Sequence, residues 1–245
     1  MENFKNLFSE DQHTYTQCMQ MNARPAFVRK VYGILSTQLL FTFLMSYIAM
    51  NNRSFQIFQM QNPGIFYFCV TLTIILPIIL MCNKNLAREV PTNYLILSAF
   101  TISESYLVST ACSLYDPKIV SIAAFLTMGI TFSLTFYAMT TKKDITYFGG
   151  LIFMLSFGLL FAGFARFFFY NGTFEIIYTF FGAVLYGIYI IYDTQLIIGG
   201  KRGALEIDEY IFASMMLYLD IIVLFLKLLK LLNSLKEDDR KKNKK

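Results

Sequence analysis

Residues 145–165 read ITYFGGLIFMLSFGLLFAGFA and contain no charged side chain. The hydrocarbon core of a bilayer is about 30 Å thick and an α-helix rises about 1.5 Å per residue, so a helical span needs roughly 20 apolar residues. Charge-free blocks of that length recur at 31–52, 54–83 and 119–141. Three further apolar blocks, at 90–112, 174–197 and 209–232, contain isolated ionisable groups. This pattern predicts a polytopic helical membrane protein.

Composition supports the same fold class. Of 245 residues, 56% are hydrophobic and 15% are charged, whereas soluble domains carry about 25% charged residues. We predict an all-α integral membrane protein, a bundle of seven hydrophobic helices. Its parts are a polar cytosolic N-terminal segment at 1–28, a helical membrane domain at 29–235 and a basic C-terminal tail at 236–245. We expect no secretory signal, since the first apolar run starts only after Lys30.

The connections between the apolar blocks are short, which predicts antiparallel neighbouring helices. We place the seven segments at 31–50, 65–82, 92–112, 118–139, 145–165, 174–197 and 209–232. Alternate connections then carry most of the basic residues, and such connections are usually cytosolic. The ten on the N-terminal side are Lys5, Arg24, Arg29, Lys30, Lys84, Arg88, Lys142, Lys143, Lys201 and Arg202, against Arg53, Lys118 and Arg166 on the other. We therefore predict a cytosolic N-terminus.

The basic tail conflicts with this orientation if segment seven crosses the membrane completely. The tail would then carry six basic residues on the far side: Lys236, Arg240, Lys241, Lys242, Lys244 and Lys245. Either segment seven re-enters and returns to the cytosol, or the tail breaks the rule. The charge rule favours a cytosolic tail.

Two aspartates inside the apolar blocks, Asp193 and Asp220, are the main candidate site. A charge at the bilayer centre costs roughly 2.5–3.5 kcal/mol on insertion scales. Both aspartates flank the connection between segments six and seven, so they can meet in an antiparallel helix pair. Two carboxylates in contact cannot both ionise cheaply, and they would share one proton. Loss of that proton would push the helices apart, which describes a pH-controlled gate; alternatively, protonated carboxyl groups simply join the two helices.

Two further groups of polar residues leave alternatives open. Lys227 could pair with Asp220, but seven residues correspond to about 10 Å along a helix axis, too far for direct contact. Glu104 lies with Thr101 and Ser105 at helical spacing in segment three. That stripe could line a path for a cation, or its hydroxyls could bond to carbonyl groups of their own helix.

Several functional classes have no support in the sequence. The only histidine is His13, and the four cysteines show no CxxC spacing, which argues against His-based catalysis and against metal or disulfide frameworks. There is no nucleotide motif, phosphate-binding loop or EF-hand loop. We expect no cofactor and no nucleic-acid partner, and any transport would be passive. Carboxylate oxygens suit Ca²⁺, so Asp193 and Asp220 are also candidates for transient Ca²⁺ contact.

Three stretches carry a resemblance to a known family. They are AFVRKVYGILS at 26–36, GIYIIYDTQ at 187–195, and DEYIFA at 208–213 followed by LYLDII at 217–222. They resemble the transmembrane Bax inhibitor motif family, also called the Lifeguard family, over about residues 24–235. SESY at 103–106 and TKKD at 141–144 match the branch that includes the Golgi anti-apoptotic protein.

The resemblance implies a function and a site. It implies a Ca²⁺-leak channel, or a regulator of Ca²⁺ release, in Golgi or endoplasmic reticulum membranes, which damps cell-death signalling by lowering stored Ca²⁺. It implies seven helices with the last surrounded by the other six, and a di-aspartate pH sensor at Asp193 and Asp220. Bacterial relatives close the channel with an arginine near the end of the second span. Here Lys84 or Arg88 is the corresponding candidate, and Lys227 is a third possible closing cation.

Two rival functions differ from a channel. Paired intramembrane aspartates are also typical of presenilin-type proteases, but the Gly-x-Gly-Asp and Pro-Ala-Leu motifs of that class are absent, so we expect no enzyme activity. A non-conducting scaffold that acts through other membrane channels or cell-death regulators is equally compatible with a helical bundle in the lipid bilayer.

Overall fold

The computed structural model describes residues 2–165, 168, 172–199 and 205–242, with the backbone alone at 2–22, 84 and 238–242. The predictions made for the side chains of Lys5, Lys84, Arg166, Lys201, Arg202 and the end of the tail lie outside the described part. Within that part the regular structure is helical. The elements are α1 (Glu2–Asn51), α2 (Arg53–Gln61), α3 (Pro63–Cys82), α4 (Lys84–Arg88), α5 (Thr92–Ser113), α6 (Pro117–Thr140), a 3-10 turn (Ile145–Phe148), α7 (Gly149–Ala165), α8 (Gly172–Ile198) and α9 (Tyr210–Lys242).

Seven of these helical stretches are long and apolar enough to cross a membrane. They are Ala23–Asn51, Pro63–Cys82, Thr92–Ser113, Pro117–Thr140, Ile145–Ala165, Gly172–Ile198 and Tyr210–Glu237. The prediction of seven hydrophobic helices in an all-α membrane bundle is confirmed. The first stretch begins earlier than predicted, because α1 continues without a break into the polar N-terminal residues.

Side chains and prolines at the connections explain where several helices begin. The Asn52 side chain accepts from the backbone N–H of Phe55 at 3.2 Å and begins α2. Asp116 accepts from the N–H of Lys118 at 3.0 Å, and Pro117 follows it at the first position of α6. Such caps satisfy N–H groups that a helix leaves unpaired at its start.

The last helix is the centre of the bundle. In the apolar part of α9, 61% of the residues are buried, against 6% in the stretch that contains α7. Helix α9 packs against α1, α3, α5, α6 and α8. Its buried side chains include Leu217, Tyr218 and Leu224, which are almost fully enclosed.

Helix α7 is the exception to the expected ring of six helices around the seventh. It packs mainly on α8 and makes few contacts with α9. Its phenylalanines Phe153, Phe157 and Phe161 are exposed, as expected for side chains that face lipid. The ring around α9 is therefore open on the side where α7 stands away from it.

Segment seven does not turn back, so its end lies on the face of the bundle opposite the N-terminal side; whether the tail is cytosolic stays a prediction. Helix α9 continues unbroken to Lys242. Lys230 forms an ion pair with Glu175 at the start of α8. Lys236 contacts Asp116, between α5 and α6, at 2.8 Å. Both partners belong to the face opposite the 84–91 connection, so α9 crosses the bundle completely.

An ion pair joins the end of α9 to the start of α6. The Lys236 ammonium and the N–H at the start of α6 hold the pKa of Asp116 below its usual range. The pair is therefore charged at neutral pH and is lost only as pH falls through that lowered value. Counting the tail, the far side carries three plus six basic residues against ten, so the charge rule no longer separates the two orientations.

We expect tags at the two ends of the chain to lie on opposite sides of a sealed vesicle. Added protease should remove one tag and leave the other protected, because seven helices cross the membrane an odd number of times. Removal of both tags from intact vesicles, with an internal marker still protected, would contradict this topology.

Candidate functional site

The α8–α9 pair brings Asp193 and Asp220 together. The helices are antiparallel and are joined through residues 199–209. Asp193 lies five residues before the end of α8 and Asp220 lies ten residues into α9, about 8 and 15 Å along the respective axes. Both side chains are buried, with 4% and 6% of their surface exposed. That both lie in the cytosolic half of the membrane stays a prediction.

The two carboxyl groups are close enough to hydrogen-bond to each other directly. Elsewhere among the described residues, the buried Oδ2 of Asp220 finds no hydrogen-bond partner. An unsatisfied buried oxygen costs about 1–3 kcal/mol, and more if it is charged. A proton shared between the carboxyl groups would remove the repulsion between two like charges.

The aspartates line a cavity of about 840 Å³ between α7, α8 and α9. The cavity occupies the opening left where α7 stands away from α9. One hydrogen bond crosses it: the hydroxyls of Ser156 on α7 and Tyr189 on α8 are 2.5 Å apart. Tyr186 and Tyr192 also line this cavity beside the carboxyl groups. The pair is thus buried in the bundle yet adjacent to a space large enough for water or an ion.

Lys227 lines the same cavity, about 10 Å along α9 from Asp220. Its ammonium nitrogen lies 4.3 Å from the centre of the Tyr178 ring. The Lys227 side chain also packs over Gly182 on α8. A Cβ atom added to Gly182 would lie 3.0 Å from Cε of Lys227. The lysine therefore contacts α8, about 10 Å along α9 from Asp220.

Arg88, the candidate closing cation after the second span, binds a different part of the molecule. Its guanidinium forms ion pairs with Glu206 and Glu209, the second at 3.7 Å. Both glutamates lie in the connection between α8 and α9, so Arg88 positions that connection. The side chain of Lys84, the other candidate, lies outside the described residues.

The hydroxyl stripe of α5 is not part of the cavity. Thr101 accepts from the Gln38 side chain at 2.9 Å, and Ser105 lies 2.8 Å from the Thr42 hydroxyl. Thr42 in turn lies 2.7 Å from the Tyr218 hydroxyl. These contacts join α1, α5 and α9. The ion path through Thr101 and Ser105 stays a prediction, and in this structure both residues connect helices.

Glu104 is also buried, with 7% of its surface exposed. It is close enough to Tyr218 to act on it electrostatically. It does not line the cavity that contains the aspartates. Glu104, the one acidic residue of the predicted ion path, therefore lies apart from the Asp193–Asp220 pair predicted as the gate.

Several residues that complete the site were not singled out from the sequence. Gln195 accepts from the backbone N–H of Ile145 at 2.7 Å and donates to the carbonyl of Lys143 at 2.9 Å. It fixes the α6–α7 connection to the end of α8, two residues beyond Asp193. Gln38 and Thr42, four residues apart in α1, were detectable as a polar pair on one helix face.

The described residues contain no group of three or more His, Cys, Asp or Glu side chains suited to a metal ion. Asp193 and Asp220 alone supply two carboxyl groups, whereas Ca²⁺ takes six to eight oxygen ligands. The pair matches a transient contact better than a resident ion.

Comparison with known proteins assigns this sequence to a family. A family model described as inhibitor of apoptosis-promoting Bax1 matches residues 24–237. Protein lifeguard 4 of Mus musculus is 35% identical over 228 residues, 92% of this chain and 93% of the relative. The chain belongs to the Bax inhibitor family. The BI1-like protein of Arabidopsis thaliana is 37% identical, covering 85% of this chain and 80% of the relative. Protein lifeguard 3 of Homo sapiens is 30% identical, covering 85% and 68%.

Membership of the Bax inhibitor family confirms the resemblance found in the sequence. The match covers all seven membrane helices and both aspartates. The family is described by an inhibitory role and not by a catalysed reaction, in agreement with the expectation that the chain is not an enzyme.

Proposed function

We propose that the chain is a passive Ca²⁺ leak that is gated by the Asp193–Asp220 pair. The observation that carries the proposal is the direct contact of two buried carboxyl groups beside a cavity. Carboxylate oxygens are preferred ligands of Ca²⁺. A buried charge in a membrane helix is costly and usually serves transport or proton exchange.

In this mechanism the shared proton is the closing element. With the proton present, Asp193 and Asp220 attract each other and hold α8 against α9. Without it, two negative charges repel each other in a medium of low dielectric constant. Helix α8 can then separate from α9 towards the side of α7, where packing on α9 is sparse. The exposed carboxylates would admit a cation from the side of the α8–α9 connection.

Lys227 forms a second barrier on this route. A cation that has passed the carboxylates must also pass an ammonium group about 10 Å further along α9. The Tyr178 ring and the Gly182 surface hold that ammonium inside the cavity. We propose that this lysine keeps the leak small, since like charges repel strongly where water is scarce.

The biological role proposed here follows from family membership. The chain would lower stored Ca²⁺ in Golgi or endoplasmic reticulum membranes and so restrain cell-death signalling, with the N-terminus in the cytosol. The alternative is a scaffold that modulates other membrane channels or cell-death regulators. The largely exposed surface of α7 favours that alternative, since it offers a face for a partner helix.

We predict a Ca²⁺ flux into liposomes containing the purified protein that rises between about pH 5 and about pH 8. A tenfold rise would correspond to about 1.4 kcal/mol of repulsion between the carboxylates. Asp193→Asn and Asp220→Asn should each abolish the pH dependence, because a single carboxyl group has no partner to repel. The readout is a Ca²⁺-sensitive dye inside the vesicles.

Glu104→Gln is the matched control for this flux experiment, as it removes a buried carboxyl group outside the cavity. It should keep the pH dependence, and a trapped inert dye should stay inside the vesicles in every case. A flux with the same pH dependence in both aspartate variants would reject the gate. Absence of flux from the wild type at any pH would reject the channel and favour the scaffold.

We predict that Lys227→Met raises the Ca²⁺ flux several-fold at each pH and leaves the shape of the pH profile unchanged. Methionine keeps the length of the side chain and removes the charge. Gly182→Ala tests the same barrier without changing charge, because the added Cβ would lie 3.0 Å from Cε of the lysine and shift that side chain slightly. Gly129→Ala, where an added Cβ meets nothing within 4 Å, is its control. A lower or unchanged flux in Lys227→Met would contradict the second barrier.

A further inference from the structure

A second groove, separate from the aspartate cavity, opens on the other side of α9. It has a volume of about 860 Å³ and lies between α1 and α6. Both helices pack against α9, but they make few contacts with each other. The floor is formed by Ile221, Ile222 and Phe225 of α9. The groove therefore opens sideways, at the level of the membrane.

The walls of this groove are apolar in character. Phe43 and Met128 are among the side chains that line it, and both are exposed in the isolated chain. Of the hydroxyls that line it, those of Thr42 and Thr127 bond to carbonyl groups four residues earlier in their own helices, at 2.9 and 2.7 Å. The exceptions are the Ser46 and Thr131 hydroxyls, which lack a hydrogen-bond partner among the described residues. An apolar wall open to the bilayer suits a hydrocarbon chain.

The two ends of the groove differ in charge. Arg29 lies one turn before Tyr32, the first lining residue of α1, while Lys142 and Lys143 follow Met139, the last lining residue of α6. All three basic side chains are exposed. At the opposite end, Lys118 stands near the Asp116–Lys236 pair, described above, in which one acidic and one basic group offset each other. Asp144 follows Lys143 and offsets one of these charges. The groups named leave two net positive charges at the end nearer the N-terminal side against one at the other.

From this asymmetry we propose that the α1–α6 groove binds one anionic phospholipid of the surrounding bilayer. Its acyl chain would lie along the groove over Ile221 and Phe225. Its headgroup would contact Arg29, Lys142 and Lys143 at the positive end. Basic residues at the membrane-proximal ends of helices attract anionic headgroups, at about 1 kcal/mol for each residue.

A lipid in this position would contact the helix that carries the gate. Ile221 and Ile222 directly follow Asp220. The acyl chain would fill the space on one side of α9 while α8 and the aspartate cavity occupy another. Occupation of the groove would thus support α9 in the position where Asp220 meets Asp193.

The sequence contains no tryptophan, so a single introduced tryptophan can report on bound lipid. Phe43→Trp places the reporter in the groove, and Phe153→Trp places it on the lipid-facing surface of α7 as a control. Both replaced side chains are aromatic and exposed, so we expect both variants to fold. The protein would be reconstituted in zwitterionic phosphatidylcholine vesicles that contain an increasing fraction of brominated phosphatidylserine, whose bromine atoms quench tryptophan fluorescence on contact.

We expect half-maximal quenching of Phe43→Trp at a roughly tenfold lower fraction of brominated phosphatidylserine than for Phe153→Trp, a preference of about 1.4 kcal/mol. Lys142→Gln with Lys143→Gln should remove the preference, whereas Lys118→Gln at the other end should leave it. Equal quenching curves for the two reporters would overturn the proposal. A preference that survives the double substitution, or that brominated phosphatidylcholine shows equally, would also overturn it.

Discussion

Two carboxyl groups that face each other inside a membrane bundle cannot both be charged without a large energetic cost, and much of this structure depends on that constraint. Asp193 and Asp220 meet where α8 packs on α9, the central helix. Two other polar side chains of α9 have hydrogen-bond partners on neighbouring helices. Tyr218 lies 2.7 Å from the Thr42 hydroxyl, and the Tyr210 hydroxyl accepts from Asn93 at 3.2 Å. Helix α9 is thus held in one rotational position, which is the position that brings Asp220 to Asp193.

The connections on the N-terminal side of the bundle hold both ends of this contact. Arg24 donates to the carbonyl of Leu205 at 2.6 Å, and Arg88 pairs with Glu206 and Glu209. Gln195 holds the α6–α7 connection to the end of α8. On the other side, α7 is attached to α8 more than to α9. Side-chain contacts at the described parts of these connections, together with the open side at α7, are consistent with a gate in which α8 separates from α9 while the rest of the bundle stays packed.

The sequence alone predicted the membrane helices to within a few residues, apart from the earlier start of the first and the later end of the last. Long charge-free runs in a bilayer permit little but helix. The sequence also predicted that Asp193 and Asp220 could meet, since both flank one short connection. It did not predict a complete seventh crossing, because Lys227 and Lys230 interrupt the apolar run. Their cost is offset by partners distant in sequence: the Tyr178 ring for Lys227 and Glu175 for Lys230. The role of Thr101 and Ser105 was also left open by the sequence. Their partners Gln38 and Thr42 on α1 are distant in sequence and are known only from the fold.

The most direct test of the shared proton is the thermal unfolding temperature of the purified protein in detergent, measured between about pH 5 and about pH 8. The wild type should become less stable as pH rises, because loss of the proton leaves two like charges in contact in the folded state only. In Asp193→Asn and Asp220→Asn this pH dependence should be smaller, since the remaining carboxylate has no like neighbour and loses only solvation on burial. An unfolding temperature with the same pH dependence in the wild type and in both variants would contradict a proton shared between Asp193 and Asp220.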